Sequence, residues 1–536
     1  MTGMKTRADK KTSIRMFGRS LGIVAALMAT NVGAAEFQWA SSQDAVTLDP
    51  HTINHSFVLG FIGNVYEPLV RRDTDFALEP ALATGWEQTG DTTWRFALRQ
   101  NVTFANGSAF SAEDVVFSFE RAKKGGIKNL IATIDSVKAI DDHTVEITTK
   151  GINPILPREI TTVYMMDRSW AEENNATEPS QPNSTEGNYA TSSTMGTGPF
   201  QIAIRELGVK TVFEPNPTWW GDVNHNLTKA TFNRIENAAT RIAALTAGEI
   251  DMVQGISPQD VSRIEASPDL KMIIGPELRT MFLMLDVSRD ALLESDVTDA
   301  NPFKELKVRQ AIQHAINREA IQQKVMRGYS VLTGSMLSKE INGYSPELDV
   351  LPEYDVEKAR ALMKEAGYED GFSVTLDCTN DRYMQDEALC IALGSMMTQI
   401  GIRVTVRAQT VGKWAEQVNP PTYNTSFTMV GYSPSSADAH NVLTTLVATR
   451  DPDRSMGVFN IGGYSNPKVD DLTAAIQIET NPTKRNDLIL QAFRLIGEDA
   501  AYVPLQQLVL LWAAGKNVDL VQMPDDRLML SHVTVN

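Results

Sequence analysis

Residues 279–287 read Arg-Thr-Met-Phe-Leu-Met-Leu-Asp-Val, a nearly unbroken apolar run. It is too short for an independent helix and dense enough for a strand covered on both faces. A second run of the same kind, 503–512, stands near the C-terminus. The sequence before and after the first run differs in texture, so we read the two runs as crossings between lobes. The chain leaves one lobe at the first and returns at the second. Two ordinary core strands would give the same pattern, because apolar runs report burial and not connectivity.

Elsewhere the pattern switches between strand and helix periods. Residues 37–50 alternate like a strand and turn at Leu48-Asp49-Pro50, and a helical pattern follows over 58–65. Short strand-like units at 86–88, 93–98 and 145–148 flank a helix over 112–122. Ser111 and Asp114 stand at capping-box spacing in front of that helix. Residues 79–170 therefore read as a mixed α+β insertion. Residues 172–197, rich in Asn, Ser, Thr, Glu and Pro, read as a long polar loop or boundary. Helices are expected at 240–249 and at 307–327, where Val308, Ile312, Ile316 and Ile321 share a stripe, and again at 356–366. Residues 374–378, 386–400 and 404–408 form a β-α-β pattern, which implies parallel pairing with a right-handed crossover. The fold class is α/β, with two lobes, one of them interrupted.

The N-terminus changes the picture of where the chain works. Lys5, Arg7, Lys10, Lys11, Arg15 and Arg19 precede a short apolar stretch, 21–29, and the small residues Gly33, Ala34 and Ala35. That is the pattern of a cleavable secretory signal over 1–35, too short and wrongly flanked for a membrane span. Its removal takes away six basic residues and one acidic residue, moving the formal charge from −17 to −22. Such a surface repels phosphate backbones, so no nucleic-acid partner is expected. The remaining length suggests two or three domains. Cys378 and Cys390, the only cysteines, either pair in an oxidising compartment or lie as two buried free thiols. Pairing would stabilise by roughly 3 kcal/mol on the chain-entropy model.

Catalytic motifs are missing. The sequence has no Gly-x-Ser-x-Gly elbow, no phosphate loop, no His-Glu-x-x-His and no Cys-x-x-Cys. His51 and His55 are four apart, a half-site for a metal at most, and no metal or cofactor is expected. Trp414, Tyr432 and Tyr464 fall in Gly-, Ser- and Pro-rich stretches, where aromatics line a ligand cleft or pack beneath a loop. Asp381 and Arg382 follow the strand ending at Cys378, the strand-end position favoured for ligands in α/β sheets. Arg382 there suits a carboxylate and Asp381 an ammonium; the alternative is a local ion pair or a helix cap near Asp386.

Several segments resemble the periplasmic solute-binding proteins of peptide-type ABC importers, the class of the dipeptide- and oligopeptide-binding proteins. They are Tyr66-Glu67-Pro68-Leu69-Val70, 80–86, Trp94-Arg95-Phe96, 110–118, 196–200 and Val308-Arg309-Gln310-Ala311-Ile312. Each is weak alone; their order and spacing carry the resemblance over nearly all of the mature chain. It implies a two-lobe clamp, with lobe I at 36–78, 171–282 and 503–536, an extra domain at 79–170, and lobe II at 283–502. It also implies a periplasmic monomer, not an enzyme, that closes on a small peptide or peptide-like solute and delivers it to an inner-membrane ABC permease.

One departure bears on the ligand. In peptide-binding members of this class, a lobe II loop carries an aromatic residue and, three positions later, an Asp for the ligand's α-ammonium. Tyr432 matches the aromatic, but Ser435 stands at the Asp position. Losing such a partner costs a bound ammonium roughly 2–5 kcal/mol. Either Asp438 substitutes from further along, or the ligand lacks a free α-amine, which leaves modified peptides, opine-like and sugar-containing solutes open. The expected ligand residues are Tyr432, Asp438, Asp381, Arg382 and Trp414. An exported hydrolase and a periplasmic chaperone are the competing classes; the first would turn its ligand over and the second would bind long apolar segments loosely.

Overall fold

The computed structural model describes Met1, residues 33–181 and residues 187–536. The expected signal segment lies outside the described residues, apart from Met1 and residues 33–35.

Two long strands carry the architecture, and both exceed their apolar runs. Leu270–Leu285 and Tyr502–Gly515 pair antiparallel along their length. Residues 270–276 pair with 509–515, and 280–284 pair with 502–507. Between the two ladders Glu277, Leu278 and Arg279 stand opposite Leu508 alone. Pro276 lacks an N–H, so it closes the first ladder where the register breaks; Pro504 marks a second shift, between Met281 and Phe282. The break falls a few residues before the boundary drawn from sequence at 282.

Each half of the strand pair recruits its own neighbours. Beside 509–515 stand Met252–Gln254, Ala35–Ser41, Leu227–Arg234, Lys210–Pro215 and Phe200–Glu206, in that order. Beside 280–285 stand Phe427–Tyr432, Phe372–Thr379 and Ile402–Gln409. The last two pair in parallel around the helix Asp386–Thr398, as the β-α-β pattern predicts. Strand alternation divides the second half's core. Met281, Leu283 and Leu285 join the apolar cluster of Ile312, Leu376 and Leu393, while Phe282 and Met284 join that of Leu446, Ile489 and Phe493. Trp39, Phe61, Phe213 and Phe232 centre the core of the first half.

The insertion is a four-stranded antiparallel sheet in the order Ala83–Gly90, Thr93–Leu98, Thr144–Thr149, Ile134–Asp141. The helix Ala112–Ala122 lays Val115, Phe119 and Ala122 into its apolar cluster. The Ser111 N–H and hydroxyl both donate to the Asp114 carboxylate at 2.9 Å, so the capping box is formed.

Two local readings change. The helix expected over 307–327 stops at Leu306–Ala315, with Ile316 in extended conformation. Asn317 then caps a new turn, and the Arg318 guanidinium turns inward to donate twice to the Pro504 carbonyl at 2.9 and 2.7 Å. A long-range contact to the second crossing strand overrides a continuous apolar stripe. Trp414 lies in the short helix Val411–Val418, not in a loop.

A disulfide joins Cys378, on the strand Phe372–Thr379, to Cys390 on the helix that follows it. The cysteines are 12 positions apart, so replacing Cys390 by serine is expected to lower the unfolding free energy by roughly 3 kcal/mol. Urea unfolding with and without reductant measures this. The variant should be indifferent to reductant, whereas the wild type should weaken.

Candidate ligand site between the halves of the sheet

The register break at 277–279 throws Arg279 off the ladder. Its guanidinium donates to Glu277 at 2.7 Å and lies 5.5 Å from the ring centre of Tyr383. Tyr383 donates its hydroxyl to the Gly431 carbonyl at 3.1 Å. A Cβ at 431 would stand 2.5 Å from the Met281 sulfur and 2.9 Å from the Tyr383 ring, so only glycine lets these groups approach. Arg382, exposed at the strand end, lies 5.0 Å from the Tyr383 ring and 5.7 Å from that of Trp414. Across from them stands His55, from the first half. Partial burial pushes its imidazole below the usual range, and the charges of Arg382 and Arg279 push it further. One wall of the space between the halves is thus cationic and aromatic.

A second contact between the halves is made by the hairpin Val70–Arg72 and Leu78–Pro80. Its turn holds Phe76 with φ 65° and buries that side chain in the second half's apolar cluster, with Ile341, Ala437 and Met523. Arg72 lies 4.6 Å from the Phe76 ring centre and donates to the Ser436 carbonyl at 2.6 Å. The hairpin and the loop after Tyr432 therefore touch directly.

The expected ligand residues fall into different places. Tyr432 is half-buried at the end of its strand, beside Thr280, and donates to the Asn441 side chain at 2.7 Å. Burial pushes its phenol up to about 12. Asp381 accepts the Val411 N–H at 2.7 Å and so caps the helix carrying Trp414, not the helix near Asp386. Trp414 is 2 % exposed; its indole N–H donates to Thr428 at 3.2 Å, and its ring faces the Arg382 guanidinium. Asp438, expected at a ligand ammonium, is fully buried. Its oxygens accept from the Arg485 guanidinium at 2.7 and 3.0 Å, from Asn342 at 2.6 Å and from the His440 N–H at 2.9 Å. Burial pushes its carboxyl up, and the hydrogen bonds and charge of Arg485 reverse this to a net lowering. An ammonium at Asp438 would have to compete with a bidentate guanidinium.

Sequence reasoning passed over Arg72, Arg279 and Tyr383. Arg279 opens the first apolar run and Tyr383 follows Arg382 directly, but neither position signals which way its side chain turns. The metal half-site is not assembled. His51 is fully buried, with Nε2 at 3.0 Å from the Tyr164 carbonyl and Nδ1 at 3.1 Å from Arg121. Among the described residues no group of three His, Cys, Asp or Glu side chains is placed to hold a metal ion.

Several buried polar atoms near the crossings have no hydrogen-bond partner among the described residues: Thr280 Oγ1, both amide atoms of Gln506, Glu340 Oε1 and Ser436 Oγ. Buried polar atoms ordinarily find a partner, so this level of the molecule offers hydrogen bonds that its own chain leaves unused.

A model of the bacterial extracellular solute-binding proteins, family 5 Middle, matches residues 77–453. The glutathione-binding protein GsiB of Shigella dysenteriae serotype 1 is 27% identical over 513 residues, covering 93% of this chain and 94% of that protein. The periplasmic binding protein DppA of Helicobacter pylori, solved in complex with the peptide STSA, is 24% identical, with a TM-score of 0.76 over 94% of this chain and 98% of that one. AgaA of Agrobacterium tumefaciens R10, solved with agropinic acid, is 21% identical, with a TM-score of 0.74 over 94% and 99% of the two chains. All three are named as binding proteins. No helix among the described residues is long and apolar enough to cross a membrane.

Proposed function

We propose a ligand and a mode of capture for a chain that belongs to the bacterial extracellular solute-binding proteins, family 5. As in that family, it is the substrate-binding component of an ABC importer and hands its solute to an inner-membrane permease. Peptides, glutathione and agropinic acid are the ligands named for the relatives above. The ligand we propose here is a small peptide-like solute carrying at least one carboxylate.

One observation carries this reading. The two crossing strands break register at the same level, and beside that break Thr280 and Gln506 carry buried polar atoms without hydrogen-bond partners among the described residues, while Arg72, Arg279 and Arg382 supply cations near the contact between the halves. A hinge at 277–279 opposite Leu508 lets lobe I (36–78, 171–282 and 503–536, with 79–170 as its extra domain) close on lobe II (283–502). Arg382 takes a ligand carboxylate and Tyr432 packs beside the ligand. Trp414 and Asp381 fix Arg382 from beneath, one by its ring face and one by capping the helix that carries the ring. Asp438 holds the loop 433–437 through Arg485 instead of meeting the ligand. Residues 1–35 direct export, and the periplasm is the working compartment.

The test is isothermal titration of glutathione and short peptides, with mass spectrometry of any solute released from the purified protein on denaturation. Arg382→Ala is expected to weaken binding by roughly tenfold or more, with little change in melting temperature because the side chain is exposed. Recovery of the peptide unchanged after incubation separates a binding protein from a hydrolase. A released solute without a carboxylate, or full affinity in Arg382→Ala, would overturn the reading.

A further inference from the structure

The loop 380–385 joins the strand Phe372–Thr379 to the helix Asp386–Thr398, and its last two residues reach across to the first half of the sheet. Met384 packs against the second half's apolar cluster of Ile312, Leu376 and Leu393, and also against a cluster of Ile242, Leu245, Val261 and Ile264. The buried members of that second cluster all precede the register break on Leu270–Leu285 or follow it on Tyr502–Gly515, so it belongs to the first half. Tyr329, from the second half, packs against the same cluster. The Gln385 amide donates to the Gln259 side-chain carbonyl at 3.0 Å, again from one half to the other. Gln385 makes this bond in the left-handed conformation, φ 56°, which a residue with a Cβ adopts only where its surroundings impose it. The loop is held firmly on its own side. One Asp386 oxygen accepts from the Thr379 hydroxyl at 2.7 Å and from the N–H groups of Arg382 and Tyr383 at 3.1 and 3.2 Å. The Cys378–Cys390 disulfide then closes a ring of chain around the loop, with both cysteines fully buried. A floppy loop would surrender in entropy much of what a contact across the halves gains; a clasped one does not.

We infer that this loop is a closure latch, in which Met384 and Gln385, clasped by the Cys378–Cys390 disulfide, join the two halves by protein contacts alone and hold the clamp shut. The inference rests on the proposed closure about 277–279 and goes beyond it by naming what keeps the closed form closed. Met384 and Gln385 are positioning residues, not solute contacts. Because the latch touches protein on both sides, it favours the closed form by the same factor for every solute. It engages only after the halves meet, so it slows release and leaves entry almost unchanged. The strained Gln385 backbone is the cost of aiming its side chain at Gln259.

The experiment has two arms on the full-length mature protein. Stopped-flow tryptophan fluorescence gives association and release rates for two probes, glutathione and Ala-Ala-Ala. Spin labels on Glu249→Cys and Ala361→Cys, both exposed and one in each half, give the distance between the halves by electron resonance without any solute. Gln385→Gly removes the amide and relieves the left-handed backbone. It should release both probes roughly three- to tenfold faster, with association unchanged and the melting temperature equal or higher. Met384→Ala should speed release of both probes by a similar factor, and both variants should lengthen the label distance. Gln385→Asn, which keeps an amide and tolerates the backbone, should retain part of the grip. The pair Cys378→Ala and Cys390→Ala, measured well below its melting temperature, should also release both probes faster; wild-type release there would overturn the clasp. Wild-type release rates and label distances in Gln385→Gly and Met384→Ala would overturn the latch and leave the capture of peptide-like solutes standing. Faster release of one probe only would make these residues solute contacts and overturn the latch as well. If the wild type binds neither probe, the label distances decide. Lengthening in the two variants keeps the latch and rejects the proposed ligand, and unchanged distances reject both.

Discussion

Replacing Asp438 by asparagine is expected to cost roughly 3–5 kcal/mol of stability, because it leaves the Arg485 guanidinium buried without a counter-charge. The pair lies at 5 % and 0 % side-chain exposure, and two charge-assisted hydrogen bonds hold it. The substitution keeps the shape of the side chain, so lost charge and not lost packing is what unfolding reads. The folded carboxyl sits below its ordinary value, so the pair's contribution is fully present above the unfolded carboxylate range near pH 4. It fades as pH falls through the lower folded value. Urea midpoints for wild type and variant should therefore be far apart at neutral pH and converge in acid. A difference below about 1 kcal/mol at pH 7 would mean that the pair is relaxed in solution. That outcome would free Asp438 to meet a ligand ammonium, the role its place after Ser435 first suggests.

Arg121→Met should be as damaging at the other end of the molecule. Arg121 donates to both oxygens of Asp49, at 2.6 and 2.7 Å, and to the carbonyls of Ala176 and Glu178 at 2.9 and 3.2 Å. Both partners of the ion pair are fully buried. It ties the helix of the inserted domain to the first strand's turn and to the polar segment after 170. Burial alone pushes the Asp49 carboxyl up, and Arg121 brings it below its ordinary value. Without Arg121 a buried carboxylate stands uncompensated, at roughly 3–5 kcal/mol. Burial then raises the folded carboxyl above its unfolded value, so the variant should be more stable near pH 4.5 than at pH 7. Chemical unfolding at the two pH values measures this. Adding Asp49→Leu to Arg121→Met should recover part of the loss, and a double variant no better than the single one would place the damage in packing instead.

Much of the fold was legible in short stretches. The strand at 372–379 and its helix and partner strand follow from period and breaker residues that lie within one another's reach along the chain. The capping box at Ser111 and Asp114 is likewise a local arrangement. Local rules failed where a distant carbonyl or strand offered more. Arg318 left its expected helix for the Pro504 carbonyl, 186 positions away. Trp414 packs within a core whose other members range from Phe76 and Ile341 to the crossing strands and residues beyond 427, and its aromatic character says nothing of which side of a loop it takes.

By itself, the sequence determined the α/β class, the two buried apolar strands, the mixed strand-and-helix stretch before residue 170, the acidic composition and the resemblance to solute-binding clamps. All of these are carried by composition, by periods of 2 and 3.6, or by ordered short motifs. Only the tertiary structure decided which charges are spent and which are free. Asp438 and Arg485 are 47 positions apart, and Arg72 and Ser436 are 364 apart. An Asp or an Arg reads the same in sequence whether or not a partner is folded against it. Burial sets the cost of leaving a charge unpaired, and burial is a property of the packed chain.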